Sequence, residues 1–211
     1  YAFLTALLHV GTLVAVIIAF HKMIWRLILA LGNLIKKICT GKFSFKETTS
    51  AERMLIFLIV SCLPLVVALL IKDPIEKMGS YLWLVGVALI INGIILFVSD
   101  RLPVGNKRAK DMTFGDALRI GIAQLVAVTP GISRSGSTIT MGVACGLDRA
   151  YAAKYSFILS MPAILAGAAV SFKDSLSDGQ FVASSIPAYL IGMIVSAVVG
   201  FFAIKILEYL L

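Results

Sequence analysis

Apolar residues run through this chain in blocks of roughly twenty, the length that crosses a bilayer as a helix, and polar residues collect between the blocks. Five such blocks are expected to span: residues 2–20, 54–71, 81–99, 155–172 and 186–207. Pro64 should kink the second, Pro162 lies within the fourth, and Tyr81 and Trp83 sit at one end of the third as interfacial aromatics. Residues 23–38 break the pattern by alternating apolar pairs with basic residues, which predicts an amphipathic interfacial helix anchored by Trp25. Residues 72–80, short and mixed in charge around Pro74, read as an external loop. Residues 114–147 break the pattern differently. Apolar arms of about 15 and about 10 residues flank a break at Pro130 and Gly131, and neither reaches the roughly 20 a full span needs.

Composition agrees with this pattern and narrows the class. With 211 residues, a mean hydropathy of +1.00, 60% hydrophobic and 14% charged residues, the chain is expected to be an all-α polytopic membrane protein. A net charge of +8 raises the question of nucleic acid, but the basic residues lie in the connections, as positive-inside orientation requires. His21, Lys22, Arg26, Lys36, Lys37, Lys42, Lys46 and Arg53 place the first connection in the cytoplasm. The chain starts at Tyr1 with an apolar block and no charged leader, and it reads as a piece of a longer one. Cys39, Cys62 and Cys145 are scattered without metal-ligand spacing.

Two arrangements fit residues 114–147: one broken helix that crosses, or a re-entrant hairpin returning to its own side. Asp148, Arg149 and Lys154 follow the segment, whereas residues 173–180 carry Asp174 and Asp178 against one lysine, so the charge bias favours the hairpin. The whole chain is then one integral membrane domain over 1–211. Residues 1–111 hold three spans of a first half, and 112–211 hold the hairpin and two spans of a second. Halves of this kind, related as an inverted repeat, bring broken helices together near the midplane, where ligand sites form.

The break itself carries the chemistry. Ser133, Arg134, Ser135, Ser137 and Thr138 place four hydroxyls and a fixed positive charge within six residues. Unwound backbone after Pro130 and Gly131 frees N–H groups, and a helix starting near Ser137 adds its positive end, which together make an anion site suited to phosphate. Gln124 is positioned upstream to orient a group in the same cavity. A merely kinked helix accounts for Pro-Gly and the hydroxyls but leaves Arg134 unexplained, since an arginine at depth is costly. No Gly-Lys-Ser/Thr follows, so a nucleotide loop is excluded. His9 reads as a satisfied packing residue, and Asp116, near a helix start, needs only a dipole role. No acidic residue lies deep in a span to act as a base.

The run Pro130, Gly131, Ile132, Ser133, Arg134, Ser135, Gly136, Ser137, Thr138 resembles the PGxSRSxxT signature of the bacterial undecaprenyl-diphosphate phosphatases, also called bacitracin-resistance proteins. Gly121, Gln124, the segment from His9 to Val16 and the succession of spans extend the resemblance over essentially the whole chain. It implies an enzyme of the cytoplasmic membrane that removes one phosphate from C55 polyprenyl diphosphate, regenerating the lipid carrier of peptidoglycan synthesis. Arg134 would contact the diphosphate, with Ser133, Ser135 and Thr138 assisting and Pro130, Gly131, Ser137 and Gln124 lining the site. A divalent cation, Mg or Ca, is implied as cofactor, although no metal ligand is expected within this chain. The family's Glu-rich N-terminal hairpin is absent, so residues 1–211 alone are expected to be inactive. The expected partners are the lipid diphosphate and membrane lipids, with a homodimer left open and nucleic acid excluded. The alternative is a transporter or flippase of a phosphate-bearing lipid, which would use the same anion site and move the lipid intact.

Overall fold

The structure is a computed structural model that describes residues 2–177 and 186–210. These form ten α-helices, no strand being present among the described residues. They divide into two compact units, residues 26–159 and residues 1–25 with 160–211.

The larger unit contains most of α2 (His21–Cys39), then α3 (Ser50–Cys62), α4 (Leu65–Leu70), α5 (Lys72–Gly79), α6 (Leu82–Arg101), α7 (Phe114–Val126), α8 (Arg134–Ala144) and the start of α9 (Arg149–Ser177). α2 is helical and amphipathic over the expected residues 23–38. Leu27, Ala30 and Leu34 form its buried stripe, while Trp25 is exposed. α3 begins with a capping box, in which Thr49 Oγ1 accepts from the Glu52 N–H and Glu52 accepts from the Thr49 N–H. The remaining capacity of that buried carboxylate goes to Lys37 at 2.8 Å. Pro64 separates α3 from α4, as anticipated, because proline cannot supply the N–H that would continue the ladder. Residues 72–80 depart from expectation: they are the helix α5, not a loop. Pro74 is compatible because it falls in the first turn, where its missing N–H has no intrahelical acceptor to lose.

The question left open for residues 114–147 is decided by backbone hydrogen bonds at the two ends of the segment. Lys107 N–H donates to the Gly146 carbonyl at 3.0 Å, and Asp148 N–H donates to the Lys107 carbonyl at 3.0 Å. Entry and exit are therefore stitched together, and α7 and α8 form a re-entrant hairpin. Asp116 secures the same end. It closes a capping box with Thr113 and approaches Lys107 at 3.5 Å. Burial opposes ionisation of this carboxyl, but the Thr113 backbone and side chain and the Lys107 ammonium outweigh it and hold the group below its ordinary value.

In the smaller unit, α1 (Ala2–Ala19) packs along α10 (Ile186–Leu210) through a seam of small residues. A Cβ on Gly11 would strike the Met193 carbonyl oxygen and come within 3.0 Å of Ser196 Cβ. Gly192 faces Leu8, and Gly200 faces Ala15 and Thr12. The spacing Gly192, Ser196, Gly200 repeats every fourth residue, which keeps one face of α10 flat enough for close approach. Ser196 Oγ adds a bond to the Leu8 carbonyl at 2.8 Å. His9 is exposed, and its ring nitrogen is bonded to the Thr5 carbonyl at 2.7 Å, so it is satisfied within its own helix rather than by packing. α9 continues through Ser177, so Lys173 is helical and not part of a loop; residues 178–180 of that expected loop lie outside the described residues.

Among the described residues, four helical stretches are long and apolar enough to cross a membrane: Ser50–Ala68, Leu82–Arg101, Arg149–Val170 and Ile186–Leu210. A fifth is reached when α1 and α2, separated by a short break, are taken as one span.

Candidate functional site: the tip of the hairpin

The loop between α7 and α8 is short, and Gly131 is its pivot. Its φ of 98° lies in the region that L side chains rarely adopt, and an added Cβ would come within 2.9 Å of both Ala88 Cβ and the Val85 carbonyl oxygen on α6. Pro130 lies in front of it, near Gly79 at the end of α5. Glycine is thus required twice, for the turn and for contact with α6. Gly136 is similarly placed, with a Cβ position 2.9 Å from Leu96 Cδ2.

α8 starts at Arg134 with Ser133 as its N-cap, three residues before the expected start near Ser137. The reason is local. Ser133 Oγ accepts the Gly136 N–H at 3.1 Å, and the Ser133 carbonyl accepts the Ser137 N–H at 2.9 Å, so capping begins as soon as the Pro-Gly turn is complete. Arg134 is consequently in the first helical turn, where backbone N–H groups point outward without intrahelical acceptors. Its half-buried side chain has neither a carboxylate nor a carbonyl partner among the described residues. An unpaired guanidinium beside a helix N-terminus sums two positive contributions at one place.

The hydroxyls divide into two groups. Ser133 and Ser135 lie on the open side, 3.5 Å apart, and Ser135 is exposed. Thr138 is only 2% exposed, and its hydroxyl donates back to the Arg134 carbonyl at 2.9 Å and the Ser135 carbonyl at 3.2 Å. With that proton committed, Ser156 of α9 donates to Thr138 Oγ1 at 2.6 Å. Next to Ser156 on α9, Tyr155 OH meets Ser61 Oγ at 2.8 Å, and Ser61 donates to the Ala117 carbonyl at 2.7 Å. Gln124 and Ser137 are also buried, at 1% and 6% exposure, and neither amide atom of Gln124 nor the Ser137 hydroxyl has a partner among the described residues. The structure therefore brings Ser133, Arg134 and Ser135 together on the open turn, sets Pro130 and Gly131 behind them, and buries Ser137, Thr138 and Gln124.

Asn92 and Ser156 escaped sequence reasoning. Asn92 Oδ1 accepts the Ser133 N–H at 2.9 Å. A lone amide in the middle of an apolar span was the available signal. Ser156 had none, because its importance comes from a contact across 18 residues.

Among the described residues no three His, Cys, Asp or Glu side chains gather. The donors around Arg134 are hydroxyls and N–H groups, whereas a divalent cation of the magnesium or calcium kind wants carboxylate and carbonyl oxygens. The residues present fit an anion and do not form a cation cradle.

Half-length helices folded into a hairpin among apolar spans, with an arginine at the tip that has no partner among the described residues, define a polytopic membrane protein. Residues 1–211 match the family described as Bacitracin resistance protein BacA, and the chain belongs to that family. It is 37% identical to a protein of Desulforapulum autotrophicum named Undecaprenyl-diphosphatase, over 87% of this chain and 70% of the relative. Proteins of the same name from Methanosphaera stadtmanae and a Nocardioides species are 38% and 39% identical over 95% of this chain, which spans 73% and 70% of their lengths.

Proposed function

We infer that the chain is an undecaprenyl-diphosphatase, a membrane hydrolase that removes the terminal phosphate of C55 polyprenyl diphosphate and regenerates the monophosphate carrier used in cell-wall synthesis. The observation that carries this reading is Arg134, an unpaired guanidinium in the first turn of α8. In the net reaction an oxygen from water becomes bonded to the terminal phosphorus, the bond from that phosphorus to the bridging oxygen breaks, and the products are inorganic phosphate and the lipid monophosphate. Negative charge spreads over the equatorial oxygens as that bond breaks, and preorganised donors at that point lower the barrier. Arg134 and the first-turn N–H groups not taken by the Ser133 cap, those of Arg134 and Ser135, meet that requirement, with the Ser133 and Ser135 hydroxyls beside them. Thr138 acts from behind, holding the Arg134 carbonyl and thus the turn that carries the guanidinium.

The bacterial cytoplasmic membrane as the site of action rests on the multi-pass architecture taken with the family. The requirement for Mg or Ca rests on the resemblance alone, and no step is assigned to a cation. A homodimer stays an expectation, checked by the mass of the detergent-solubilised protein.

The deciding experiment is phosphate release from C55 or a shorter polyprenyl diphosphate in detergent by the full-length protein, with and without Arg134→Ala, and with and without a chelator. Release that depends on Arg134 supports the phosphatase, and its loss with chelation supports the cation. Well-folded wild-type protein that binds the lipid and releases no phosphate would refute the reading and favour a transporter.

A further inference from the structure

The functional reading uses the hairpin tip and leaves α6 as a mere support, yet α6 contributes a polar group to it. Between Leu82 and Val98 every side chain of α6 is apolar except the Trp83 indole and the Asn92 amide. An amide in such a span is unfavourable unless its donors and acceptor are used. Half of Asn92 is accounted for. Oδ1 accepts the Ser133 N–H at 2.9 Å, and because a backbone N–H needs an acceptor, that bond also establishes which end of the amide is oxygen. Nδ2 carries two N–H groups that find no acceptor among the described residues, and it is not sealed away from the surface. The planar amide holds Nδ2 beside Oδ1, hence beside the N-cap of α8.

The register of α6 strengthens the placement. Ala88, Asn92 and Leu96 follow one another at four-residue intervals on one face, and they meet Gly131, Ser133 and Gly136 respectively. Asn92 is thus at the centre of the face that carries the tip, between the positions that meet Gly131 and Gly136. Through its bond to the Ser133 N–H, the amide sits next to the start of α8, where the first-turn N–H groups also lie.

We propose that Asn92 Nδ2 is a further donor to the terminal phosphate of the lipid diphosphate, so that α6 supplies one wall of the anion site. The proposal rests on the phosphatase reading. Asn92→Ala and Asn92→Asp separate it from a role limited to holding Ser133. The carboxylate keeps the acceptor for Ser133 N–H but loses the donor, whereas a protonated carboxyl supplies both. Steady-state phosphate release should show kcat/KM of Asn92→Ala falling on the order of tenfold to a hundredfold, with the thermal midpoint little changed. Asn92→Asp should fall further at neutral pH and recover as the pH is lowered, relative to wild type. Should Asn92→Ala fail to fold, the pH profile of the isosteric Asn92→Asp decides alone. Asn92→Asp as active as wild type at neutral pH would overturn the proposal, as would a folded Asn92→Ala with unchanged kcat/KM. In both cases wild-type turnover leaves the phosphatase reading standing, whereas a wild-type protein without turnover removes both.

Discussion

α1 with α10 and α7 with α8 are both pairs of apolar helices packed side by side, yet they differ in how far polar groups tie them to neighbours. The hairpin too has close glycine contacts, at Gly131 and Gly136 against α6, but hydroxyls also link its helices to α3 and α9. The α1–α10 seam uses absence: Gly11, Gly192 and Gly200 remove side chains so that backbones can touch, and Ser196 contributes one bond. The hairpin uses presence. Thr138, Ser156, Ser61 and Tyr155 join α8, α9, α3 and α7 by hydroxyls, and Gln124 and Ser137 stay buried without partners. Small-residue packing satisfies itself and asks for nothing further. A buried polar network with unpaired members stores donors and acceptors that a ligand or water can use. The difference teaches where to look for chemistry in a molecule that is apolar nearly everywhere.

The comparison breaks most sharply at Arg134. Arg134→Ala should lower kcat by about a hundredfold to a thousandfold, as loss of a principal charge-stabilising donor does, while thermal unfolding in detergent stays near wild type. A substitution that abolished folding instead would make the arginine structural. The seam should respond in the reverse sense. Gly11→Leu should destabilise the protein by about 1–3 kcal/mol, because the Met193 backbone cannot yield to a side chain, and folded molecules should keep their turnover rate.

Thr138→Val tests whether position and chemistry are coupled. It preserves shape and removes the bonds to Ser156 and to the Arg134 carbonyl, so stability should drop by about 1–3 kcal/mol and kcat/KM should fall with it. Thr138→Ser should restore both. An activity loss without any change in the thermal midpoint would place Thr138 on the substrate instead.

The smallest effect is expected at the base. The Asp116 carboxyl is held below its ordinary value, so its contribution to stability is complete above the usual carboxylate range of about 4 and is lost as the pH falls through the lowered value. Thermal midpoints measured downward from neutral pH should therefore fall less steeply in Asp116→Asn than in wild type.

Much of this was legible beforehand because bilayers impose a simple code. Four of the apolar span helices, the Pro64 break and the amphipathic helix α2 all follow from local pattern. The hairpin was favoured by Asp148, Arg149 and Lys154 but decided only by the bonds between Lys107 and residues 146 and 148. α5 was misread because Pro74 looks like a loop marker until its place in the first turn is known. The start of α8 was displaced because Ser133 and Ser137 are equally good caps in isolation, and the choice is made by the turn at Gly131. Asn92 and Ser156 depended on partners 41 and 18 residues away. Periodicity sees neighbours on one helix and is blind to pairings of that kind.

The stitch between Lys107 and residues 146 and 148 also has a consequence for the orientation of the helices that follow. A segment whose two ends are bonded to each other adds two helices without adding a crossing, so everything after it keeps the orientation it would have had without it. A reporter enzyme fused just before Lys107 and one fused just after Asp148 should therefore report the same compartment. In a lineage, such a hairpin can be gained, lost or reshaped at its tip while the flanking helices go on facing the same two solutions.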